Sequence, residues 1–158
     1  MVNNMSDLTT LSNQLDTKKG TCRAIIETPK GSRNKFDYDP ESNLFMLAGL
    51  LPEGMMFPFD FGFIPSTQGG DGDPLDILVL MDAPAHVGCL IEVRLVGVIS
   101  AEQIQDGEKE SNDRLLGVAI HSYNHEGSKT MMTSVRRLSH NRKSSSCPIT
   151  SNAERSSK

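Results

Sequence analysis

The chain has 158 residues, 37% of them hydrophobic and 23% charged, which is enough for one domain with a core and too little for two. No apolar run approaches the length of a membrane span, and the opening MVNNMSDLTT has neither the basic nor the apolar region of an export signal. The sequence therefore reads as soluble and cytoplasmic, with no membrane partner. The net charge of −4 conceals an asymmetry: residues 1–126 hold nine basic and nineteen acidic side chains, residues 127–158 seven and one. So acidic a body argues against nucleic acid, whose phosphates need a basic footprint. It favours bound cations wherever the acids converge.

Residues 1–20 are polar, with Leu8, Leu11 and Leu15 at helix-like spacing, and predict a short surface helix or a frayed arm. From Cys22 the texture is that of strands. CRAIIETP is rich in β-branched residues, Pro29 to Ser32 makes a turn, and Asn34 to Asp39 alternates. After a turn at Asp39 to Asn43, LFML begins an extended piece that ends at Leu51-Pro52-Glu53-Gly54. In MMFPFDFGFIP, Phe57, Phe59, Phe61 and Phe63 occupy every second position, so an extended chain puts the four rings on one face. That pattern predicts a core-facing strand; the alternative is that the opposite side, with Pro58, Asp60 and Gly62, is kept small for a ligand. IleLeuValLeu (77–80), Cys89 to Ser100 and Arg114 to Ser122 are further strands. Five or six short strands with frequent turns predict a mainly β fold, a sandwich or a small barrel. Residues 127–158 contain nine serines and few apolar positions, a composition that predicts disorder. The expected organisation is an arm over 1–20, a barrel over 21–126 and a basic tail over 127–158.

The most informative stretch is DGDPLDILVL, Asp71 to Leu80, with three carboxylates in six residues and no cation between Gly69 and Met81. Asp71 and Asp73 project to one side of an extended chain, Pro74 disfavours helix for Asp73, and Asp76 returns at the mouth of a strand. Two carboxylates about 4 Å apart repel by roughly 1 kcal/mol in water and roughly 4 at an effective dielectric constant near 20. Such a group needs water, a shared proton or a metal. The spacing fails the EF-hand pattern, because leucine and aspartate stand fifth and sixth. Oxygen donors with no His or Cys nearby favour Mg²⁺ or Mn²⁺ over zinc. The three cysteines form no CxxC pair, and the four histidines share no ligand spacing.

DGDPLDI, preceded by FPFDFGFIPST and Gly-Gly and followed by a long strand and a second acidic loop, resembles the small, magnesium-dependent soluble inorganic pyrophosphatases. The resemblance runs from about Arg23 to Ala119. It implies an OB-like five-stranded closed β-barrel with few peripheral helices, often assembled as a hexamer or dimer. The implied reaction is Mg²⁺-dependent hydrolysis of diphosphate. On the matching positions Asp71 and Asp76 hold metal and Asp73 is the base. Glu27 lies near a metal, Lys35 binds phosphate, and Asp37 stands for the usual glutamate. Asp106 and Asp113 match the metal ligands of the second loop, with Arg114 in place of a phosphate-binding lysine.

The departures from the family pattern are local. The register that aligns Arg114 puts Asn112 on an expected aspartate and leaves Asp113 one residue out of step. LFMLAGLL lacks the family's basic residue, and Phe61 takes the place of an active-site tyrosine facing substrate. Nothing in 127–158 matches the family's terminal helix and Tyr-Lys pair, so the end reads as truncated or altered. A second expectation stands beside catalysis: a barrel that binds metal, diphosphate or partner subunits and turns over poorly.

Overall fold

The computed structural model describes residues 7–100, 102–105, 108–111 and 113–125. Among these residues nine strands follow one short 3-10 turn at Leu8–Thr10, where the Asp7 side chain accepts from the backbone N–H of Thr9. They are β1 (Thr21–Thr28), β2 (Asn34–Asp39), β3 (Leu44–Leu50), β4 (Asp60–Ile64), β5 (Leu75–Leu80), β6 (Leu90–Ile99), β7 (Glu102–Gln105), β8 (Glu108–Ser111) and β9 (Arg114–Ala119). Five of them close a barrel in the order β1-β4-β5-β9-β6, while β2-β3 and β7-β8 are separate two-stranded sheets. The barrel and, among the described residues, the near absence of helix agree with the expectation, although the leucine spacing of the arm yields only that single turn. The tail over 127–158 lies outside the described residues.

The barrel core is built from alternate positions: Cys22, Ala24 and Ile26 of β1, Ile64 of β4, Ile77 and Val79 of β5, Val93 of β6 and Ala119 of β9. Fully burying an aliphatic side chain of this kind stabilises the fold by about 1.5–3 kcal/mol. The ladders pair Ile26 with Gly62 and Gly62 with Ile77, so Gly62 faces inward among these side chains. The neighbouring pair, Ile25 with Phe63 and Phe63 with Asp76, lies on the outer face. The phenylalanine alternation holds in part: Phe61 and Phe63 are buried, as expected, but outside the interior cluster of the barrel. Phe61 and Phe63 belong to the outer wall, Phe57 and Phe59 precede the strand, and Phe59 is exposed. The small side holds no ligand space either. A Cβ on Gly62 would stand 1.9 Å from the carbonyl oxygen of Ile25, because β1 crosses there in direct contact.

Most neighbours in the barrel are antiparallel, but β5 and β9 run parallel, with Ile77 opposite Leu115 and Val79 opposite Gly117. One step back along each strand stand Asp76 and Arg114, which places both at one end of the outer wall. The β2–β3 hairpin is fixed to the barrel through Thr28. Its hydroxyl donates to the carbonyl of Phe36 at 3.0 Å and accepts from the N–H of Phe36 at 2.9 Å. The described part of the arm, from residue 7, is pinned rather than frayed. The N–H of Leu8 donates to the Tyr38 hydroxyl, and Ser66 donates through its backbone to Thr9 and through its hydroxyl to Leu11.

Candidate active site

The acidic loop is ordered by its own contacts. The N–H of Asp73 donates to Oδ1 of Asp71 at 3.1 Å, its carbonyl accepts from Gly69 at 2.7 Å, and Thr67 Oγ1 accepts from the N–H of Leu75 at 2.9 Å. Gly72 has φ of +95°, a conformation that costs glycine little and other residues much. Asp71 is thus turned toward the loop backbone, while the exposed carboxylate of Asp73 is left free of the contacts that shape the loop.

Asp76 lies deeper, at the second position of β5, and burial pushes its carboxyl above the usual range. Arg114 and Lys35 oppose that rise, and Asp71 adds to it. Arg114 Nε approaches Asp76 Oδ2 to 3.4 Å. The separation suits an ion pair, but Nε is buried and makes no well-formed hydrogen bond. The guanidinium carbon lies 5.2 Å from the centroid of the Phe61 ring, within cation–π range. Phe61 is only 6% exposed, so its ring meets Arg114 rather than open solvent.

Glu27, 8% exposed on β1, accepts from the N–H of Tyr38 at 2.7 Å. Burial raises its pKa from 4.5 to about 7, with Asp37 and Asp76 adding to the rise and Lys35 opposing it. Lys35 Nζ pairs with Asp37 Oδ2 at 2.6 Å across one intervening residue of β2. Glu27, Lys35, Asp37, Asp71, Asp76 and Arg114 therefore share one electrostatic neighbourhood between the barrel wall and the β2–β3 hairpin. Asp113 is exposed immediately before β9, and Asp106 lies outside the described residues.

The folded state binds the Glu27 proton more tightly than the unfolded chain does. Stability from this group is therefore complete below about pH 4.5 and falls away as pH rises toward about 7. At 1.36 kcal/mol per unit, the loss is up to about 3 kcal/mol. Glu27→Gln should match the wild type near pH 4.5 and exceed it by up to that amount at pH 8, measured by urea unfolding in a chelator. An unchanged slope of stability against pH would exclude a buried, titrating Glu27.

Two participants escaped the sequence reading. Tyr38 holds Glu27 through its N–H and stacks on Phe63 at 5.9 Å, and only an acid on an apolar strand hinted at such a partner. Asp60, fully buried, accepts through Oδ1 from Ala85 at 2.9 Å and from Lys30 at 3.4 Å, tying two loops to β4. Its burial raises its carboxyl pKa, and Oδ2 has no partner.

A cavity of about 780 Å³ opens at the opposite rim, bordered by Met81, Leu90, Ile91, Ala119 and Tyr123. Carboxylates, cations and desolvation meet instead on the wall of Asp76. Among the described residues, no three His, Cys, Asp or Glu side chains form a complete metal cage. The donor set still fits Mg²⁺, which commonly takes one or two carboxylates together with water and phosphate oxygens. Two carboxyls with pKa raised by burial, both donating only oxygen, supply that kind of partial site.

The chain is thus a closed five-stranded β-barrel protein that carries a desolvated, oxygen-donor acidic wall with adjoining cations. Residues 24–144 match the inorganic pyrophosphatase family, and the chain belongs to that family. The match continues past Ala119, where the legible resemblance stopped. The chain is 42% identical over 93 residues to the inorganic pyrophosphatase of Synechocystis sp., covering 59% of this chain and 54% of that protein. It is 44% identical over 94 residues to that of Thermus thermophilus, covering 60% and 51%. The solved Thermus thermophilus structure superposes with a TM-score of 0.71 and 35% identity, over 80% of this chain and 70% of that one. The chain spans about half the length of these curated relatives.

Proposed function

We propose that this chain hydrolyses inorganic diphosphate to two phosphates with Mg²⁺, Mn²⁺ being a substitute. The carrying observation is the convergence of Glu27, Asp76, Lys35 and Arg114 on one wall in a chain of this family. Glu27, Asp71, Asp76, Asp106 and Asp113 would hold metal; bound there, Mg²⁺ lowers the pKa of a water and neutralises phosphate charge. Asp73, exposed at the loop tip, accepts the proton from the nucleophile. Lys35 and Arg114 bind phosphate oxygens, Arg114 with the planar fork of donors that suits them. Phe61 bears on substrate through Arg114.

No helix among the described residues is long and apolar enough to cross a membrane, and the acidic body fits a small anionic substrate delivered with cations, acting in the cytoplasm. Exposed Leu44, Met46, Leu47 and Leu50 on β3 support assembly into a homo-oligomer, a dimer or hexamer. The test is phosphate release from diphosphate, expected with Mg²⁺ and absent in a chelator. Binding of Mg²⁺ and a non-hydrolysable diphosphate analogue without phosphate release would replace catalysis by the binding role.

A further inference from the structure

Arg114 is engaged on two sides at once. Its guanidinium lies 5.2 Å from the Phe61 ring centroid, and its Nε is 3.4 Å from Asp76 Oδ2. The first contact is with a ring that is almost wholly buried. The second is incomplete, because the buried Nε makes no well-formed hydrogen bond. An ion pair without such a bond, and with both side chains about a third exposed, contributes roughly 1 kcal/mol or less. Arg114 is nevertheless the cation paired with Asp76, while Lys35, the other cation of this wall, is itself bonded to Asp37. Asp76 thus has a loosely attached counter-ion, while the arginine has a second contact, with Phe61, that does not depend on Asp76.

We propose that Arg114 is a displaceable counter-ion seated on Phe61. Its guanidinium covers Asp76 while no divalent cation is bound, and turns to a phosphate oxygen when a cation takes the carboxylate. Phe61 is then a positioning residue that keeps the guanidinium beside the site in both arrangements. The exchange conserves charge locally, since the carboxylate is never left bare and the arginine passes from one anion to another. It rests on the reading of Asp76 as a cation ligand.

The test is calorimetric titration of the full chain with Mg²⁺ alone, and with inorganic phosphate in the presence and absence of Mg²⁺. Arg114→Met is expected to tighten Mg²⁺ binding about three- to fivefold, the equivalent of the weak ion pair. It should also abolish the Mg²⁺-dependent gain in phosphate affinity. Phe61→Leu preserves every charge and should tighten Mg²⁺ binding about twofold while weakening phosphate. Arg114→Lys, which keeps the charge but loses the planar stacking surface, should behave the same way and serves if Phe61→Leu fails to fold. Lys18→Met, which removes an exposed charge from the arm, should leave Mg²⁺ binding within about 1.5-fold. If Asp76→Asn leaves Mg²⁺ binding unchanged, the cation-ligand reading fails and the exchange with it. If Asp76→Asn abolishes binding while the Arg114 and Phe61 variants stay at the wild-type value, only the exchange falls. Equal tightening by Lys18→Met and Arg114→Met would reduce the effect to general charge and overturn it.

Discussion

Asp73→Asn is expected to reduce Mg²⁺-dependent phosphate release about 10²- to 10⁴-fold, the range typical of a lost general base. The loop gives this substitution unusual clarity. Asp73 contributes its N–H and carbonyl to the loop contacts, and both survive the change. Its carboxylate is exposed and is not what shapes the loop. The melting temperature should accordingly stay within a degree or two of the wild type. Asp71→Ala is the informative contrast, because it removes the acceptor for the N–H of Asp73 and disturbs the loop itself. An Asp73→Asn protein that keeps more than a tenth of wild-type turnover would remove Asp73 from the role of base.

The largest effect on folding is expected from Gly62→Ala. The added methyl carbon would lie 1.9 Å from the Ile25 carbonyl oxygen, 2.8 Å from its carbon and 2.9 Å from Ile26 Cα. All three are backbone atoms of a paired strand, so no side-chain rotation can relieve the contact. Overpacking among side chains typically costs 1–3 kcal/mol, and a clash with backbone should cost more than about 3. For a domain of this size that lowers the melting temperature by more than about 10 °C, or prevents recovery of soluble protein. Gly70→Ala, where nothing lies within 4 Å, should be neutral and serves as the control. A Gly62→Ala protein melting within 2 °C of the wild type would contradict the close passage of β1 over β4.

Sequence pattern made the strands legible because their composition is local. The β-branched run of β1 and the apolar run of β5 announce themselves, and the turns between them are marked by Pro, Gly and Asn. The phenylalanine alternation marked Phe61 and Phe63 as buried, but not which side of the barrel wall buries them. Both faces of β4 are covered, one by the core and one by the hairpin side, so hydrophobicity alone could not say which was inside. The acidic loop stood out by charge density, whereas its coupling to Glu27 and Arg114 depends on strands far apart in sequence. The resemblance supplied Glu27, Lys35 and Arg114 as site residues; their meeting on the outer wall comes from the β1 ladder, the hairpin and the parallel β5–β9 pairing. Tyr38 was invisible because its part is played by a backbone N–H, which any residue could supply.

The parallel pairing of β5 with β9 also sets when the site can exist. In the barrel β9 is the strand between β5 and β6, yet it is the last of the three to be synthesised. Asp76 emerges during translation well before Arg114, and until β9 inserts, β5 and β6 each present an unsatisfied edge. A nascent or partly opened chain therefore has Asp76 without its arginine beside two open strand edges. Docking of one six-residue strand closes the barrel, hides both edges and delivers the arginine in a single event. The arginine that covers Asp76 therefore arrives only with the strand that completes the barrel, so the wall acquires its counter-ion at the moment the chain leaves its most aggregation-prone stage.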